Sequence, residues 1–173
     1  MEKTDAALVV ADAGPLIHLD ELSALDVLMN YSAVFVPDAV WQEVRAHRPK
    51  ALKNTNVRFV HEDSPVISER INALAALYTL HRGEREAMEL CLVKSVGVLL
   101  SDDTAARMAC QTIHVQTHGT LGLLLRAVRL QLRTAQEILG ILESIPEKSS
   151  LHIRPEFLKS VIAQARQEWA VEP

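Results

Sequence analysis

Two apolar runs in this sequence end in carboxylates. Leu8–Ala11 (LVVA) leads into Asp12, and Val96–Ser101 (VGVLLS) leads into the doublet Asp102-Asp103. Two further acids accompany helical stripes. Glu43 stands beside Val40, Trp41 and Val44, and Glu84 follows Gly83, one turn before Ala87, Met88 and Cys91. Carboxylates that converge repel one another unless a cation binds. Hard oxygen ligands select Mg²⁺ or Mn²⁺ over softer metals. A carboxylate-held Mg²⁺ suggests phosphoryl chemistry, in which the ion activates water and neutralises charge on the phosphate.

Each acid also has a plainer role open to it. Asp12 precedes Gly14-Pro15 and could cap the next helix. One member of the Asp102/Asp103 pair could do the same, which leaves the other unexplained. Glu84 meets the favourable end of a helix dipole, and Glu43 could pair with His47 one turn on. Arg107, one turn past the doublet, could hold a phosphate or pair back to Asp103. Nucleophile motifs of the GxSxG kind and the GxxxxGK[ST] phosphate loop are absent from the sequence.

The elements that must position these acids follow from hydrophobic pattern. Short apolar runs at Leu8–Ala11, Ala33–Val36, Val57–Val60, Val96–Leu100 and Ile113–Val115 read as strands. Helical spacing fills the intervals: Leu16 to Asn30, a helix capped by Asp38, 67–80, 84–95, a helix after Asp103, 119–132, 134–145 and 155–169. Residues 47–56 (HRPKALKNTN) read as a basic loop, and 146–150 as a turn. Buried strands alternating with helices predict a parallel sheet covered on both faces. Ligands of such sheets bind at the carboxyl ends of the strands, so Asp12 and the Asp doublet are expected on one edge.

The bulk numbers set limits. The 173 residues suggest one domain. Eighteen Lys and Arg against 22 Asp and Glu give a net charge of −4, so any nucleic-acid site must be local. Aromatics at 4% argue against a stacking platform for single strands. Cys91 and Cys110 match no zinc spacing and read as small buried hydrophobes in a reducing compartment. The apolar stretch Ala6–Ala11, closed by Asp5 and Asp12, is too short for a signal or a membrane span, and a cytoplasmic location is expected.

Taken in order, VVADAGPLIHL, VPDAVWQEV, HRGEREAMELC, VLLSDDTAARMA and HGTLGLLLRA resemble the PIN-domain nucleases. Within them the chain is most similar to the VapC-like branch, with its D-x-x-P-L-I start, G-E-x-E-A helix and D-D-x-x-A-R helix. The resemblance covers about residues 8–132, and 133–173 read as a helical extension of one PIN-like domain spanning 1–173. It implies a three-layer α/β/α fold with a parallel sheet of about five strands in the order 3-2-1-4-5. It implies that Asp12, Glu43, Glu84 and one of Asp102 and Asp103 are catalytic metal ligands for Mg²⁺ or Mn²⁺. It implies endonucleolytic cleavage of RNA, often as the toxin of a toxin–antitoxin pair, with a cognate antitoxin as partner and a homodimer as the usual assembly. One departure stands out: many relatives carry Ser or Thr after the first Asp, whereas this chain has Ala13. Thr120 could supply a hydroxyl instead, or cap its helix.

Two functions therefore compete. One is a metal-dependent ribonuclease in which Glu43 binds metal or acts as general base, Arg107 touches the substrate phosphate and the loop with Arg45, Arg48, Lys50 and Lys53 follows the RNA backbone. The other is a non-catalytic protein-interaction module that keeps the fold. A receiver-like phosphoacceptor is disfavoured, because no Lys closes the last strand.

Overall fold

The computed structural model describes residues 7–170, so Asp5 and Ala6 of the first apolar stretch lie outside the described residues. Five parallel strands form one sheet in the order β3-β2-β1-β4-β5: β1 Leu8–Ala11, β2 Ala33–Pro37, β3 Phe59–Glu62, β4 Val98–Leu100 and β5 Gln116–His118. Eight helices surround it: α1 Ala13–Glu21, α2 Asp38–His47, α3 Glu69–Tyr78, α4 Arg82–Val93, α5 Thr104–Thr112, α6 Thr120–Arg129, α7 Ala135–Lys148 and α8 Pro155–Trp169. The expected three-layer fold and strand order are what the chain adopts.

Strand alternation divides the core. Val9, Ala11, Val34, Val36 and Leu100 face one layer, built on α1, α2, α6, α7 and α8. Val10 and Leu99 face the other, where Ile71, Met88, Cys91, Ala106 and Cys110 close over them. The extension joins the first layer: Ile138, Leu142, Ile145 and Leu158 are buried in it. Polar ties add to that docking. Arg133 grips Asp26 with two nitrogens at 2.7 and 2.8 Å, and Glu21 accepts bonds from Ser149 and Ser150. Among the described residues no helix is long and apolar enough to cross a membrane.

Several local expectations are corrected. The third strand starts at Phe59 rather than Val57, and the fifth is Gln116–His118 rather than Ile113–Val115. Ile113 and Val115 are buried, but in the turn beneath the strand rather than within it. Helix α7 runs through Pro146 to Lys148, so the expected turn at 146–150 starts later. Buried Ile145 anchors that last turn and its carbonyl accepts the Ser149 N–H at 3.0 Å. The loop at 47–56 holds a short 3-10 turn over Ala51–Lys53, with Ala51 buried. The cap of α2 is Pro37 rather than Asp38, whose carboxylate instead meets Gln42 and His61.

Candidate metal centre and its surroundings

The register places the first acid. Ala11 pairs with Leu100 across β1 and β4, so the next residues, Asp12 and Ser101, stand side by side at the carboxyl edge. The Asp12 N–H donates to the Leu100 carbonyl at 2.9 Å, and the fully buried Ser101 hydroxyl donates to Asp12 Oδ2 at 3.3 Å. Asp12 occupies the cap position of α1 but makes no side-chain capping bond. The helix reaches its carboxylate through the Ala13 N–H alone.

Three other acids act on it or on each other. Asp12 Oδ1 and Glu43 Oε2 lie 3.6 and 3.7 Å from where a β-carbon on Gly83 would sit, so the two carboxylates face one another across a glycine. The tight approach explains Gly83: a side chain there would press on Val40 at 3.3 Å as well. The Asp12 carboxyl is pushed up to about 7. Burial is the largest cause; the Ala13 N–H works against it, the charges of Glu84 and Glu43 add to it, and the Ser101 hydroxyl offsets part. Glu84 is also raised, by burial first, against the His81 N–H and with the charges of Asp103 and Glu43. Asp12 and Glu84 are buried while Glu43 and Asp103 are exposed, so the cluster opens to solvent on one side.

Local roles are present too. Glu84 Oε2 accepts the His81 N–H at 2.7 Å in a capping box at the start of α4. Asp103 caps α5 through the Ala106 N–H at 2.7 Å, while its own N–H donates to the Ser101 hydroxyl. The His47 ring meets the Glu43 backbone carbonyl rather than its carboxylate. Among the described residues no three His, Cys, Asp or Glu side chains are drawn close enough to cage an ion. His114 precedes β5 and His118 ends it, so the two share no helix face.

Asp102 belongs to a different group. Its Oδ2 takes the His18 ring nitrogen at 2.9 Å and the Thr120 hydroxyl at 2.6 Å, and its Oδ1 takes the Thr120 N–H at 2.7 Å. Burial alone would raise its carboxyl, but these bonds outweigh burial and hold it below the ordinary value. Thr120 is thus neither a cap (Gly119 is) nor a hydroxyl for the acid cluster. A β-carbon on Gly119 would lie 2.8 Å from Asp102 Oδ1, so only glycine fits there.

Sequence reasoning passed over His18 and Ser101, whose partners lie 84 and 89 residues away. Two further acids of α4, Glu86 and Glu89, are buried. Glu86 accepts the Ala39 N–H at 2.9 Å and pairs with Arg82, and Glu89 accepts the Ser68 N–H and hydroxyl. Among the basic candidates, Arg48 is tied to Asp20, whereas Arg107 makes no ion pair among the described residues.

Four crowded carboxylates fit a divalent cation by donor chemistry: hard oxygens, net negative charge and one buried acid held partly protonated. Residues 8–167 match the model of a family described as a PIN domain. No curated protein and no solved structure matches the chain.

Proposed function

We propose that this chain, which belongs to the PIN-domain family, is an Mg²⁺- or Mn²⁺-dependent endoribonuclease. PIN is a nuclease-type fold, which supports the reaction class. The carrying observation is Asp12: it sits at a helix cap without capping, buried, with Glu43 and Glu84 pressing on it. In this reading Asp12, Glu43, Glu84 and Asp103 hold the metal. Asp103 is preferred to Asp102 because its charge acts on Glu84, whereas Asp102 is committed to His18 and Thr120.

A divalent cation bound there would neutralise charge on a scissile phosphate and make water a better nucleophile. The chain's own residues set the stage for that. Ser101 fixes the Asp12 carboxylate from β4 and so supplies a hydroxyl that Ala13 lacks. Glu43, exposed and across Gly83 from Asp12, is placed to orient the attacking water or take its proton. Arg107 is the cation assigned to the substrate phosphate, with a guanidinium nitrogen 3.4 Å from the β-carbon position of Gly119, beside Asp102. The toxin role of the VapC-like branch, a cognate antitoxin and a homodimer belong to the same reading.

The second reading is a non-catalytic interaction module. It is favoured by the capping duties of Glu84 and Asp103 and by the lack of a ready-made cage among the described residues. Single-turnover cleavage of a labelled RNA in Mn²⁺ decides between them. Asp12→Asn should reduce the rate by about a thousandfold, since a metal ligand supplies several kcal/mol of transition-state stabilisation. Full activity in the folded variant would favour the module.

A further inference from the structure

A cleft of about 530 Å³ is lined by Asp102, by residues of α6 and by the α7–α8 connection. We propose that it is the path along which single-stranded RNA reaches the acids, an inference that rests on the nuclease reading above.

The first observation is uncompensated charge. Arg107, Arg126, Arg129 and Arg154 all line this cleft, in a chain whose net charge is −4. Elsewhere Arg48, Arg82, Arg133 and Arg166 each pair with an acid. The four cleft arginines have no such pairing among the described residues. The acid among the lining residues, Asp102, is already answered by His18 and Thr120. Arg126 is held by neutral groups: it donates to Asn30 at 3.0 Å and lies over the Tyr31 ring at 4.8 Å. It is fixed in place yet keeps its charge for a ligand. His118 reports the same field from within, since burial and then Arg126 hold it below its ordinary value.

The second observation is apolar. Phe157, at the start of α8, is 56% exposed and lines the same cleft, with Ile153 and Leu151 beside it. Arginines for phosphates together with an exposed ring for a base is the pairing that single strands need, because their bases are free to stack on side chains. A duplex turns its bases inward and would leave Phe157 unused. Position completes the case: Asp102, which lines the cleft, is followed directly by Asp103, whose charge acts on Glu84 of the cluster.

The test measures binding without cleavage. The full chain, with chelator present, is titrated into a short labelled single-stranded RNA, and anisotropy is followed across a salt series. Arg129→Gln with Arg154→Gln, both exposed positions, should weaken binding about tenfold. It should also lower the salt slope by about 0.7 for each arginine removed. Phe157→Ala should weaken single-strand binding and leave duplex binding unchanged. Arg58→Gln with Lys148→Gln, exposed positions that do not line the cleft, should change little. The proposal is overturned by unchanged affinity in the Arg129/Arg154 variant, by an equal loss in the Arg58/Lys148 variant, or by polyglutamate displacing the RNA as well as unlabelled RNA does. Mn²⁺-dependent cleavage separates the two readings. Wild-type binding through the cleft with no RNA cut leaves the cleft standing and removes the nuclease. Cleavage with unchanged binding in the Arg129/Arg154 variant does the reverse.

Discussion

Around Asp12 burial prevails over the Ala13 N–H and the Ser101 hydroxyl, and the acids Glu84 and Glu43 add their charge to it. Around Asp102 the neighbours are donors: a histidine ring, a threonine hydroxyl and a backbone N–H. Both acids follow an apolar strand at the same sheet edge, and Ser101, the residue before Asp102, reaches across to Asp12. Burial acts on both, yet one carboxyl is raised and the other lowered. A fold that satisfies one buried acid completely has the means to satisfy its neighbour. The contrast teaches that a shared sheet edge does not fix a carboxyl's state; on the reading proposed above, a cation would relieve Asp12.

The largest effect expected of that contrast is chemical. Asp12→Asn should lose about a thousandfold in single-turnover cleavage, while Asp102→Asn, assayed well below its melting temperature, should stay within about tenfold of wild type. Equal losses would erase the distinction between the two acids.

Next comes pH dependence. The folded Asp12 carboxyl titrates near 7 against an ordinary value of 3.8, so the native state holds a proton that the unfolded chain has lost across that window. Stability without metal should therefore fall as pH rises from about 4 to 7, by at most about 4 kcal/mol, and level off above. Asp102, with its depressed carboxyl, has the opposite sign: its contribution is present above the unfolded value and disappears as pH falls through the folded one. Denaturant melts with chelator should show the first slope in wild type and not in Asp12→Asn, and millimolar Mn²⁺ should flatten it. A wild type that gains stability from pH 4 to 7 would contradict the raised carboxyl.

Helix α4 supplies a sharper comparison within one element. Glu84→Gln should cut cleavage about a hundredfold, consistent with loss of one charged donor. Glu86→Gln and Glu89→Gln should lower the melting temperature and spare the rate constant, because each receives backbone N–H bonds away from the cluster. Indistinguishable rate losses for all three would reduce Glu84 to its capping role.

Two smaller effects concern the satisfied acid. Asp102→Asn replaces an acceptor oxygen by a donor facing other donors, and should cost about 1.5–3 kcal/mol in a thermal or denaturant melt. Gly119→Ala pushes a methyl toward Asp102 Oδ1, where 2.8 Å is available. The expected loss is about 1–3 kcal/mol, and melting at wild-type temperature would show that the loop yields freely.

What the sequence disclosed tracks the range of each interaction. Leu8–Ala11 is a strand with the expected bounds, because a central parallel strand, here buried from Val9 to Ala11, is apolar along its length. The edge strand Gln116–His118 is polar and escaped the same criterion, while buried Ile113 and Val115 drew attention to the turn below it. Asp12 and the Asp102/Asp103 pair were visible from their places at strand ends, and Glu43 and Glu84 only through the family resemblance. Their sorting was not: the choice between Asp102 and Asp103 turns on His18 and Thr120, and the placing of Asp12 on Ser101, all contacts made only in the folded chain. Glu86 and Glu89 show the same limit, since their partners Ala39 and Ser68 come from other elements.

The pairing of Ala11 with Leu100 also has a kinetic consequence. β4 docks on the first strand only after some ninety residues have been synthesised, and loops of that length close late relative to local helices. A nascent chain that ends before β4 carries Asp12, Glu43 and Glu84 but neither Ser101 nor Asp103. Ribosome-bound intermediates therefore lack the assembled cluster, and any hydrolytic potential is withheld until the central strand pair has closed.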